Sequence, residues 1–189
     1  GHPFPFLTNH TINAIVRIFQ IQPDGTKDYK VAILPIPSVL DRIIEIPSRG
    51  NKEHRFVYLE DVITYYANQF FQGYGIEDYM VFRITRDADL EIDEEEATDL
   101  LSEVEASLRR RRRGDAVRLE VCGEVKNNLL DFVLTSVELE PKDVYRIDGH
   151  LDCRMYFNFC NYPGLDQLRY VPFEPKLPSE LVDYEGESL

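Results

Sequence analysis

The residues whose types and spacing invite chemistry lie between Arg86 and Gly114. Asp87, Asp89, Glu91 and Asp93 alternate with Ala88, Leu90 and Ile92. In an extended chain, period two puts all four carboxylates on one side. Hard cations such as Mg²⁺ want several oxygen ligands, so one reading is a stand-alone acidic metal-binding enzyme. The run lacks the turn glycine and spacing of an EF-hand loop. A solvated strand edge running into a helix cap accounts for it without a metal, and is the preferred reading. Further along stand five consecutive arginines, Arg109, Arg110, Arg111, Arg112 and Arg113. Guanidinium groups match phosphate geometry, so with Arg83 or Arg86 they form a candidate patch facing a polyanion, or an intersubunit salt-bridge cluster against the Asp87–Asp93 acids. A helix C-terminus paired with nearby acids is the simpler account.

Elsewhere the chain is poor in catalytic patterns. His2, His10, His54 and His150 have no metal-ligand partner at useful spacing and read as surface or turn residues. No phosphate-binding glycine motif and no Gly-x-Ser-x-Gly elbow occurs. Cys122, Cys153 and Cys160 form no metal spacing and cannot all pair, which fits a reduced, cytoplasmic compartment. No catalytic, cofactor-binding or metal site is assigned within the chain.

The elements that must position these residues follow from periodicity. Met80–Thr85 reads as a buried strand. Glu94–Arg111 reads as an amphipathic helix, with Ala97, Leu100, Leu101, Val104 and Leu108 on one stripe. Asp93 is its N-cap, acids fill its first turn and arginines its last, and Gly114 is placed as the residue that ends it. Ala116–Cys122 returns as a strand. Upstream, Thr11–Ile21 and Tyr29–Leu34 flank the turn Gln22-Pro23-Asp24-Gly25-Thr26 and form a hairpin. Arg42–Ile46 is a short strand near an edge, among Pro35, Pro37 and Pro47. Arg55–Leu59 is a strand that leads into a helix ending near Phe70 or Phe71. Its dense aromatics (Tyr65, Tyr66, Phe70, Phe71, with Tyr74 and Tyr79 following) are read as core packing in preference to a stacking or subunit surface. Asn127–Val137 is a second amphipathic helix. Lys142–Ile147 fits a short helix or a strand. Leu151–Asn161 reads as helical, with Cys153 and Cys160 as buried thiols. From Tyr170, Pro172, Pro175 and Pro178 mark an extended linker.

The 189 residues suit one domain with a real core. The 43% hydrophobic and 12% aromatic content is that of a globular chain. No apolar run is long enough to span a membrane. The net charge of −13 weighs against a domain built mainly to hold nucleic acid or another polyanion, so any such contact must be a local patch.

Several segments resemble the polyphosphate kinase family, in that family's order. TRDADLEIDEEEA and RRRRRGDAVRLEV carry the main likeness. HPFPFLTN (His2–Asn9) is similar to the opening of the family's head, or middle, domain. RFVYLEDVI (Arg55–Ile63), DVYRIDGHLD (Asp143–Asp152) and the closing LVDYEGESL follow. The resemblance implies a non-catalytic head domain over residues 1–169, with 170–189 leading into a first catalytic domain. The chain begins at Gly1, and is read as excised from a longer enzyme. That parent would transfer the ATP γ-phosphate reversibly to polyphosphate through a phosphohistidine outside this chain, using ATP and Mg²⁺. The implied partners are the parent's N-terminal and catalytic domains, further copies in a homo-oligomer, and polyphosphate itself, but no nucleic acid. The implied location is cytoplasmic, with peripheral membrane association as an option. A pure interaction module is the alternative from another class. The expected fold class is α+β: a mixed, mainly antiparallel sheet of about six strands, with helices packed mostly on one face.

Overall fold

The computed structural model describes residues 4–47, 53–87, 114–125 and 127–176. The expected helix Glu94–Arg111, the acids Asp89, Glu91 and Asp93, and the arginines Arg109–Arg113 lie outside the described residues. Contacts divide the chain into two compact units, Gly1–Met155 and Tyr156–Leu189.

The first unit is α+β. A five-stranded sheet has the order β2-β1-β5-β6-β7. Its strands are β1 (Ile12–Ile21), β2 (Lys27–Pro35), β5 (Gly75–Arg86), β6 (Ala116–Cys122) and β7 (Val144–Ile147). Every pairing is antiparallel except β6 with β7. A parallel pair needs a crossover, and the helix Asn127–Val137 lies on that connection. β3 (Ile43–Ile46) and β4 (Arg55–Tyr58) pair only with each other. The prolines on either side of β3 keep it from extending β2, so it forms a separate two-stranded ribbon. The helices of this unit are α1 (Leu59–Tyr65), α2 (Ala67–Phe70) and α3 (Asn127–Val137). A short helix, α4 (Met155–Phe159), begins at the last residue of this unit and otherwise belongs to the second.

The core has two clusters, one on each side of β1. Ile15, Met80, Phe82, Ile84, Leu119 and Val121 pack against Leu129, Leu130, Val133 and Leu134 of α3. On the opposite pleat, Ile12, Ala14 and Val81 meet Ile36, Leu59 and Leu151. Each fully buried large aliphatic or aromatic side chain stabilises the fold by about 1.5–3 kcal/mol over its exposed state. Lys142–Ile147 proves to be both options in turn: a single 3₁₀ turn at Pro141–Asp143, then β7.

Three expectations are corrected. The helix after β4 breaks at Tyr66 (φ −94°, ψ 13°), so its aromatics do not share one continuous helical stripe. Tyr65, Tyr66, Phe70 and Tyr79 are exposed instead of forming core. The helix expected over Leu151–Asn161 contracts to α4, because Asp152 takes a left-handed conformation (φ 55°) that stops a helix starting earlier. Cys153 and Cys160 are therefore exposed. Gly114 has a physical role other than a left-handed helix stop. A Cβ placed there would stand 1.9 Å from the backbone oxygen of Asp87, where β5 and β6 close together.

In the second unit Arg169 donates from Nε to the Cys160 carbonyl at 2.9 Å and pairs with Asp166 at 3.2 Å. Residues 170–176 are neither helix nor strand, and Tyr170, Val171 and Phe173 are fully exposed.

Candidate functional site

Arg86, one residue of the expected arginine patch, closes β5 and anchors the N-terminal segment. Its Nε donates to the Leu7 carbonyl and its Nη1 to the Gly114 carbonyl, both at 2.9 Å. Asn9 clamps the Arg86 backbone, accepting from its N–H at 2.9 Å and donating to its carbonyl at 3.4 Å. The guanidinium lies 4.4 Å from the Phe6 ring centroid. Burial lowers its pKa, while Asp115 pulls the other way. Arg86 also lines a groove of about 420 Å³ with Phe4, Phe6, Asp115, Ser136 and Glu138. Two carboxylates share that groove, so it is not a cationic cradle.

A larger charged assembly sits on the opposite side of β5 and draws together segments far apart in sequence. Arg83 and Glu120 are register partners on β5 and β6, and the Arg83 Nε donates to the Glu120 carboxylate. Arg118 reaches the same carboxylate at 2.8 Å and lies 3.9 Å from the Tyr145 ring centroid. Arg83 also reaches Asp152 at 3.3 Å, and Arg154 grips Asp152 through two donors at 2.7 and 2.6 Å. That grip, with help from Arg83, holds the Asp152 carboxyl at a pKa of about 2. The Asp152 carbonyl accepts from Arg42 at 3.0 Å. Arg42 in turn pairs through two nitrogens with Glu60, which is only 3% exposed. His150 stands 3.5 Å from Glu60 and stacks on Tyr58, with ring centroids 3.4 Å apart.

The assembly joins β4 and α1 to β5, β6 and the loop after β7. Opposite charges this buried hold one another in place: removing one partner from such a pair costs about 3–5 kcal/mol, because the other is left uncompensated. Nearby, burial raises the Asp61 pKa. Burial likewise raises the Cys122 pKa, so its thiol donates to the Gly149 carbonyl at 3.0 Å and is not poised as a nucleophile. No three described His, Cys, Asp or Glu side chains are grouped to hold a metal ion. What this arrangement does chemically is fix shape.

Sequence reading passed over Arg42, Glu60, Glu120 and Asp152, and took Arg83 only as an option for the arginine patch, whereas the structure pairs it with Glu120 and Asp152. One signal was available: Arg83 in MVFRIT and Glu120 in RLEV are lone charges inside strands with a core face, where an ion must be paired. Glu60 and Asp152 also stand in the quoted segments RFVYLEDVI and DVYRIDGHLD, which fold against each other.

Comparison with known proteins gives concordant results. The polyphosphate kinase middle domain family matches residues 1–159. The polyphosphate kinase of Pseudomonas putida is 35% identical over 186 residues, 98% of this chain and 25% of that protein. That of Staphylococcus haemolyticus is 39% identical over 183 residues, 95% of this chain and 24% of that protein. The chain thus spans about a quarter of the length of the curated relatives it matches. The crystal structure of polyphosphate kinase from Porphyromonas gingivalis superposes with a TM-score of 0.68 at 21% identity, over 96% of this chain and 24% of that one, and so shares the fold. Among the described residues no helix is long and apolar enough to cross a membrane.

Proposed function

Because the chain belongs to the polyphosphate kinase middle domain family, we propose that it is a non-catalytic scaffold within a longer enzyme that transfers the ATP γ-phosphate reversibly to inorganic polyphosphate. The carrying observation is the family match over 159 of 189 residues in a chain that spans a quarter of its relatives. ATP, Mg²⁺ and a phosphohistidine belong, on this reading, to other parts of the parent. No step of the transfer is assigned to this chain. Its own work is to hold those parts in register, to help frame the route taken by the polymer, and to contribute to subunit association. The charged assembly of Arg42, Glu60, Arg83, Glu120 and Asp152 supports that role, because it spends its ions on internal pairs and so fixes the relative placement of β4, α1 and the main sheet. Residues 1–169 form the scaffold and 170–189 lead onward from it, in the cytoplasm.

The test is phosphotransfer from ATP to polyphosphate by the 189-residue chain with Mg²⁺. A folded sample is expected to be silent. Turnover above background would overturn the scaffold reading and direct mutagenesis to Asp87, Asp89, Glu91 and Asp93.

A further inference from the structure

β2 is an edge strand with no neighbour on its outer side among the described residues. Which of its backbone groups face outward follows from the hairpin. The Gln22 N–H donates to the Thr26 carbonyl at 2.8 Å, and the register continues through Gln20↔Asp28, Ile18↔Lys30 and Val16↔Ala32. Hydrogen-bonded pairs alternate in an antiparallel ladder. Asp28, Lys30 and Ala32 therefore turn their backbone groups toward β1, while Lys27, Tyr29, Val31 and Ile33 turn theirs outward. The same stretch carries exposed apolar side chains: Tyr29 and Val31, with Ile21 beside them on β1. Exposed backbone donors and acceptors along an uncovered strand are a template for another strand.

We propose that two copies of this chain join edge to edge through β2, antiparallel, about a two-fold axis at Tyr29. Charge selects this register. Only the outward-facing backbone groups can hydrogen-bond across the new seam, so the sum of paired residue numbers stays even and inward-facing residues stand opposite inward-facing ones in the non-hydrogen-bonded pairs. Centring on Asp28 would set Asp28 against its own copy, and centring on Lys30 would set Lys30 against its own copy. Centring on Val31 places Lys30 opposite Ala32 and Asp28 opposite Leu34, with no charge matched. Centring on Tyr29 sets Asp28 opposite Lys30 twice, once on each side of the axis. Both side chains are about half exposed and share one face, where Lys30 also lies 3.9 Å from Asp28 of its own chain and donates to the Tyr74 hydroxyl at 3.0 Å. On the other face the register lines up Phe19, Tyr29, and the same pair of the second copy, in one row of four rings. Phe19 and Tyr29 already lie 6.1 Å apart, and Phe19 extends over Gly75, where a Cβ would meet its ring at 2.4 Å. Opposite charges and aromatic rings placed directly across from each other are the favourable cross-strand pairs.

This inference gives a surface to the subunit association in the proposed function, and rests on that reading. The experiment is sedimentation equilibrium of the 189-residue chain and two charge variants, with melting curves to confirm folding. Asp28→Lys places lysine opposite lysine, and Lys30→Asp places aspartate opposite aspartate. Each variant alone is expected to dimerise about tenfold more weakly than the parent sequence. An equimolar mixture of the two restores both ion pairs and is expected to dimerise like the parent sequence. Val31→Pro removes an outward N–H that β1 does not use, and is expected to abolish pairing in a folded chain. A chain that stays monomeric overturns the proposal, as does a dimer that the single variants leave intact or that the mixture fails to rescue. A monomer silent in phosphotransfer would sink this pairing and leave the scaffold reading standing; a paired chain that turns over would do the reverse.

Discussion

Asp152 holds three arginines at once. Its carboxylate takes two donors from Arg154 and one from Arg83, and its carbonyl takes Arg42. Its carboxyl pKa is lowered from 3.8 to about 2. A depressed carboxylate stabilises the fold fully above its unfolded pKa, and that stabilisation is lost as pH falls through the folded value. Asp152→Asn keeps the shape and tolerates the same φ of 55°, so it isolates the charge. It should cost about 1 kcal/mol at neutral pH, once screening at the exposed Arg154 end is allowed for. Urea unfolding of both proteins should show this gap intact above about pH 4 and closing as pH falls toward about 2. A gap unchanged at low pH would mean that the ion pairs with Asp152 contribute nothing.

At the scale of elements, the closure of β5 against β6 depends on Gly114. The Asp87 N–H donates to the Asp115 carbonyl at 2.8 Å, and Arg86 donates to the Gly114 carbonyl. Gly114→Ala would drive a Cβ into the Asp87 backbone oxygen, which cannot swing away as a side chain can. We expect a loss of about 2 kcal/mol, read as a lowered urea midpoint. A midpoint unchanged by the alanine would mean that the two strands separate there at no cost. The elements themselves differ in how far the sequence disclosed them. The hairpin of β1 and β2 was readable because Pro23, Asp24 and Gly25 interrupt two β-branched runs. β6 and α3 were readable to the residue, since alternation and a 3.6-residue stripe do not overlap there. The break at Tyr66 was hidden, because the aromatics around it suit a helix face and no glycine or proline marks the stop. The role of Gly114 was hidden for another reason: a close approach between strands is tertiary and leaves no local pattern. The same holds for the ion pairs. Arg83 and Glu120 can be suspected as charges in buried strands, but their bonding to Asp152 depends on how the loop after β7 returns.

For the whole molecule, a net charge of −13 repels polyanions on average, so any contact with polyphosphate must be local. The described basic residues of the central assembly are occupied by acids, which leaves Arg109–Arg113 as the sequence's candidate patch. Reversing all five to glutamate in the parent enzyme should lower polyphosphate affinity and flatten its salt dependence, with the oligomeric state unchanged. Disrupted assembly at unchanged affinity would assign the run to a subunit interface instead. If neither property moves, the arginines serve only to cap the helix expected before them.

The core also imposes an order on how the protein can be made. Ile15 lies in β1, near the start, yet its buried neighbours include Leu119 on β6 and Leu129 to Leu134 on α3. A ribosome adding about 5–20 residues per second takes roughly 5–20 s to travel from one to the other. Throughout that interval α3 is not yet made, and β5 offers the inner face of the first hairpin a neighbouring strand. Until α3 has left the exit tunnel, the apolar side chains that it will cover lack that cover, and folding catalysts and wrong partners alike can compete for them.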